Sequence, residues 1–107
     1  ADGCPGKASR EQVTYAIDQI DWILGKNPLD MSFLQGTGRN HPPAYCSHKA
    51  QHSTLDGGIS NGITGSETDG SGFQWMTGGE CWENWRWVEQ WLPHSTWYMM
   101  AITAAAL

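Results

Sequence analysis

Apolar side chains recur at Val13, Ala16, Ile17, Ile20, Ile23 and Leu24, the three-and-four spacing that gathers one face of a helix. Ser9 is a good N-cap, Glu11 puts an acid in the first turn, and Gly25 and Pro28 supply a stop. The pattern predicts a helix over residues 9–25. A second helical pattern closes the chain within residues 89–107, with Pro93 in its first turn, where a missing N–H costs nothing. Leu92, Tyr98, Met99 and Ile102 follow the helical period, and Trp97, Met100 and Ala101 make the opposite side apolar too. Such a helix is expected to be buried nearly all round, inside a multi-helix domain, with Trp91 and Trp97 packed in the core.

Residues 26–88 between these helices show neither period. The stretch GKNPLDMSFLQGTG carries Leu29, Met31, Phe33 and Leu34 without an evident face, and residues 57–65 read as turn upon turn of Gly and Asn. Loops this long are functional or disordered, and the tryptophans and low charge disfavour disorder. The expected layout is a flexible start at residues 1–8, a helix at 9–25, an ordered loop layer at 26–88 and a helix at 89–107. The chain starts on ADGCPGKAS without an initiator Met and stops at Ala104-Ala105-Ala106-Leu107 without a capping Gly or polar tail, so it reads as part of a longer protein.

Composition narrows the function. A net charge of −5 with only six scattered Lys and Arg excludes a phosphate-binding surface, so no nucleic-acid partner is expected. No apolar run spans a bilayer, so no membrane partner is expected either. Three cysteines, Cys4, Cys46 and Cys81, leave open one disulfide plus a free thiol or no disulfide at all.

Candidate chemistry concentrates in ECWENWRWVEQWLPHSTW. Indole rings offer flat apolar faces and a polar edge, suited to stacking on sugars. Trp82, Trp85 and Trp87 fit that use as well as they fit core packing. Glu80, Glu83 and Glu89 sit among these rings. A carboxyl set among indoles is poorly solvated, which favours its protonated form and suits a general acid. Glu89, between Trp87 and Trp91, is the best candidate, although a glutamate stabilised by a helix dipole explains the same position. Cys46-x-His48-x3-His52 offers three ligands to a metal, and zinc needs a fourth. Loop histidines making hydrogen bonds explain the same residues more simply.

The stretch Gln19-Ile20-Asp21-Trp22-Ile23-Leu24-Gly25-Lys26-Asn27-Pro28, followed by Met31-Ser32 and Gly36-Thr37-Gly38, resembles the C-terminal region of family 9 glycoside hydrolases. The resemblance extends in order through a Pro/His/Arg-containing loop, a glycine-rich turn, an acidic aromatic segment and a Glu before the last helix. It implies an all-α fold, the C-terminal portion of an (α/α)6 barrel with long active-site loops. It also implies inverting hydrolysis of β-1,4-linked glucan, with Glu89 as the acid and His48, Arg39 and His41 as substrate-binding residues; the stacking argument adds Trp85 and Trp87 to them. The paired aspartates of that family have no counterpart in this chain, so the remaining N-terminal part of the domain is an expected partner and the isolated chain is expected to be inactive. The family's His-His-Arg is replaced by Cys46-Ser47-His48-Lys49, which alters substrate contacts and opens exo action on cello-oligosaccharides or glucosaminides. No cofactor is required for the chemistry, a structural calcium or zinc is compatible with it, and the family implies a secreted or periplasmic location. The competing reading is a non-catalytic fragment that binds glycan or metal.

Overall fold

A computed structural model describes residues 8–46 and 54–106. Cys4, His48 and His52 lie outside the described residues, so the expectations placed on them are neither met nor corrected. Regular structure among the described residues is helical: α1 (Arg10–Ile23), a 3-10 turn η1 (Cys81–Asn84), a single-turn α2 (Trp85–Val88) and α3 (Leu92–Ala106). Extended pairing is limited to isolated antiparallel bridges, Leu34 with Ile59, Ser60 with Gln90 and Thr64 with Gln74. This is an all-α arrangement with a loop layer.

Helix α1 begins in a reciprocal capping box. Gln12 N–H donates to Ser9 Oγ at 3.3 Å, and Ser9 N–H donates to Gln12 Oε1 at 2.8 Å. Its apolar stripe is only half used. Ile20, Ile23 and Leu24 pack into the core, whereas Val13 and Ile17 stay exposed along a groove between α1 and α3.

The apolar residues after Gly25 explain themselves once the chain folds back. Phe33 is 1% exposed and lies between Trp22, stacked on it at 5.5 Å, and Trp75, edge-on at 5.5 Å. Burying that ring contributes about 2–3 kcal/mol. Leu29, Met31, Leu34, Ile63 and, from α3, Tyr98 and Ile102 complete the cluster. The loop is therefore a core element attached to the end of α1.

Asn27 holds the fold-back together. Its Nδ2 donates to the Trp22 carbonyl (2.7 Å) and the Met31 carbonyl (2.8 Å), while its Oδ1 accepts from Leu29 N–H (3.1 Å) and more loosely from Met31 N–H (3.4 Å). It thereby ties a carbonyl in the last turn of α1 to the backbone of Leu29 and Met31. Beyond it, buried Ser32 donates through Oγ to the Thr37 carbonyl at 2.6 Å. A Cβ at Gly38 would lie 2.9 Å from Ser32 Cβ, at a φ of 88° that side chains rarely adopt. The Met-Ser and Gly-x-Gly elements are thus two sides of one contact.

Helix α3 departs from expectation. Only Tyr98 is buried on it; Leu92, Met99 and Met100 are exposed, and Trp97 is 69% exposed. The physical reason is that, among the described residues, α1 and the loop layer lie against α3 and cover one side. The short helices in residues 81–88 also depart from the expected unbroken loop layer. One helical turn is too short to show a period.

Cys46 and Cys81 form a disulfide across a sequence separation of 35 residues. It ties the loop after the Pro42-Pro43 pair to the start of η1.

Candidate active site

Residues 85–91 carry Glu89, and long-range backbone bonds hold them. Gly62 N–H donates to the Trp87 carbonyl (2.9 Å), and Asn61 N–H donates to the Glu89 carbonyl (3.0 Å). Asn61 Nδ2 reaches the Trp85 carbonyl (3.1 Å), so both amide groups of one asparagine clamp the segment. On the other flank the Gln90 side chain behaves like a piece of strand. Its Oε1 accepts from Leu55 N–H (2.9 Å) and its Nε2 donates to the Leu55 carbonyl (3.1 Å). That amide lies flat over Gly58, where a Cβ would come 2.3 Å from Gln90 Oε1.

Glu89 is extended (φ −67°, ψ 141°), closes α2 and stands three residues ahead of α3. It does not open the last helix, so the helix-dipole explanation for this carboxylate loses its geometry. Its Oε2 accepts the indole N–H of Trp91 at 2.6 Å. Both residues line an open recess of about 660 Å³ with Tyr45, Leu55, Gln90 and Pro93. A larger concavity of about 880 Å³ lies between α1 and α3, but it is apolar and no carboxylate lines it.

The other predicted residues divide. Trp87 is 2% exposed, donates Nε1–H to Thr64 Oγ1 (2.8 Å) and has Arg86 against its ring, the contacts of a packed side chain. Trp85 is half exposed and lines a separate polar recess beside Arg86, whose guanidinium pairs with Glu67 at 2.8 Å. Trp91, expected in the core, is 52% exposed. Sequence reasoning missed its contact with Glu89, and the only available signal was a tryptophan two residues from a glutamate.

Arg39 and His41 do not line the Glu89 recess. They belong to a loop, residues 30–41, held by its own contacts. Arg39 Nη2 meets both carboxylate oxygens of Asp30 (2.7 and 2.8 Å), and Asn40 Nδ2 donates to the Asp30 carbonyl (2.9 Å). Asp30 and Asn40 both adopt positive φ (48° and 52°), which their short polar side chains tolerate. His41 Nδ1 lies 3.2 Å from the Ser32 carbonyl. A carbonyl only accepts, so in the neutral ring Nδ1 carries the proton and Nε2 is left as an acceptor.

Glu80 and Glu83 serve η1. Glu83 Oε2 accepts from Glu80 N–H at 2.9 Å, a contact that caps the 3-10 turn. Buried Asn84 binds the Gly78 N–H and the carbonyls of Gly78 and Glu80. The three-ligand metal reading loses its cysteine, because Cys46 is spent in the disulfide. No group of three or more His, Cys, Asp or Glu able to hold a metal occurs among the described residues. Nor is any helix among them long and apolar enough to cross a membrane.

Helices joined by a long loop layer make this an all-α segment. The family model for glycosyl hydrolase family 9 matches residues 5–91, and the chain belongs to that family. It is 49% identical over 41 residues to "Endoglucanase 22" of Oryza sativa subsp. japonica, covering 36% of this chain and 7% of that protein. It is 36% identical over 61 residues to "Endoglucanase 10" of the same organism, covering 57% of this chain and 8% of that protein. The chain thus matches a small part of these relatives' length.

Proposed function

We propose that this chain is the C-terminal part of an inverting glycoside hydrolase that cleaves β-1,4-linked glucan, to which it contributes the general acid, Glu89. The observation that carries the reading is the Glu89 carboxylate in an open recess, on a backbone clamped by Asn61 on one flank and Gln90 on the other. A positioned carboxyl of this kind can protonate a glycosidic oxygen as the bond to the sugar breaks. An inverting mechanism also needs a base on the opposite face to activate water, and the family resemblance places those aspartates in an N-terminal part of the same domain. That part is the proposed partner, and the isolated chain is proposed to be inactive.

The names of both rice relatives favour endo-acting cleavage of glucan over exo action on cello-oligosaccharides or glucosaminides. Arg39 and His41 on the 30–41 loop, with His48, are proposed as donors and acceptors to sugar hydroxyls, and Trp85 as a stacking face. The Cys46–Cys81 disulfide supports a secreted or periplasmic location, since such bonds persist in oxidising compartments. No cofactor is proposed for the chemistry.

The test is hydrolysis of β-1,4-glucan by the longer polypeptide that carries this segment, compared with its Glu89→Gln variant. Loss of reducing-end release with glucan binding retained supports the assignment. Unchanged release overturns it, and binding without turnover in the parent protein favours the non-catalytic reading.

A further inference from the structure

We infer that Trp91 is a positioning residue for the acid: its indole N–H holds Glu89 Oε2 so that the transferable proton resides on Oε1. The inference rests on the reading of Glu89 as the general acid. Three observations carry it. The N–H to Oε2 contact is short, 2.6 Å. The indole is 52% exposed and lines the same recess as Glu89. The backbone between the two residues is fixed, because the Glu89 carbonyl is bound by Asn61 N–H and the Gln90 amide is locked to Leu55.

The chemistry follows from the donor. Indole N–H only donates, and in a carboxylic acid the carbonyl oxygen is the better acceptor. The contact therefore selects Oε2 as the carbonyl oxygen and leaves the hydrogen on Oε1. In the reaction the Oε1 proton passes to the glycosidic oxygen as the C–O bond to the anomeric carbon breaks, and that electron pair stays on the departing oxygen. Water adds to the anomeric carbon and gives its proton to the base. Glu89 becomes a carboxylate, and a hydrogen bond to a carboxylate is stronger than one to a neutral acid. The Trp91 bond thus tightens as the proton leaves, which lowers the barrier where protonation is needed and does little where it is not.

That asymmetry separates positioning from packing. In the longer polypeptide, Trp91→Phe removes the N–H, and replacement by β-(3-benzothienyl)alanine removes it while keeping the bicyclic ring. Each is assayed on a cello-oligosaccharide, whose leaving group needs the proton, and on 2,4-dinitrophenyl β-cellobioside, whose leaving group does not. Both variants are expected to lose about tenfold in kcat on the oligosaccharide, the size of one charge-assisted hydrogen bond, with KM and dinitrophenyl turnover retained. Equal loss on both substrates, or no loss on either, overturns the inference. Glu89→Gln run in parallel distinguishes the failures. If it keeps oligosaccharide turnover, the acid assignment falls; if it loses turnover while both Trp91 variants match the parent, only the role of Trp91 falls.

Discussion

Replacing Asn27 by Ala should destabilise the fold well beyond what one surface-near polar residue normally contributes. The side chain makes three well-formed hydrogen bonds to backbone groups, at 2.7, 2.8 and 3.1 Å, and a fourth, marginal one at 3.4 Å. Each net bond is worth about 1 kcal/mol, and a buried group left unpaired costs about 1–3 kcal/mol. The site is part-buried, so water can reach some of the freed groups and the sum is discounted. The expected loss is about 2–3 kcal/mol. Urea unfolding of the longer polypeptide, followed by tryptophan fluorescence, reads it as a lower midpoint with an unchanged slope. Lys26→Ala, which breaks only the exposed pair with Asp18, serves as the control and should leave the midpoint in place. An Asn27→Ala midpoint indistinguishable from the parent's would show that the carbonyls rehydrate freely, and the account of this motif as a structural hub would be wrong.

Three further outcomes are expected. Burial, and secondarily the negative charge of Asp21, raise the Tyr98 phenol above its ordinary value. Its contribution to stability is therefore fully present below about pH 10 and lost as pH rises through the higher folded value; Tyr98→Phe should flatten that alkaline loss in a series of unfolding curves. Reducing the Cys46–Cys81 bond, or Cys81→Ser, should cost up to about 4 kcal/mol by the loop-entropy relation for a 35-residue separation, read as a shift between oxidised and reduced unfolding midpoints. Gly58→Ala should displace the Gln90 amide and cost about 1–3 kcal/mol, and in a Gln90→Ala background the same change should be nearly neutral, a coupling that a double-mutant cycle measures.

What could be read from the sequence tracks how local each signal is. The capping box at Ser9 and the stop after Leu24 are local, and the structure places α1 at Arg10–Ile23. The family match likewise agrees with the resemblance carried by Gln19 to Gly38. The reasons for that motif were not legible, because Asn27 and Gly38 act on groups that meet only after the chain folds back. Tryptophans defeated the reading in both directions: Trp87 is packed and Trp91 is exposed, although only four residues separate them. Their spacing of four suits one helical face, but α2 ends at Val88 and α3 begins at Leu92, and the segment between is held by the clamp from Asn61 and Gly62, more than twenty residues earlier. The disulfide partner of Cys46 was beyond counting arguments for the same reason. Helix α3 is apolar on every side, so its sequence alone does not say which side this chain covers.

The central claim is that Glu89 supplies the proton for glycosidic cleavage. Its most direct measurement is the kcat/KM of the Glu89→Gln variant, in the longer polypeptide, on a cello-oligosaccharide relative to 2,4-dinitrophenyl β-cellobioside. The account predicts a fall of about 10²–10⁴-fold on the oligosaccharide, the range for loss of a general acid, with the activated glycoside largely spared. Equal activity on both substrates, or an equal fall on both, would contradict it.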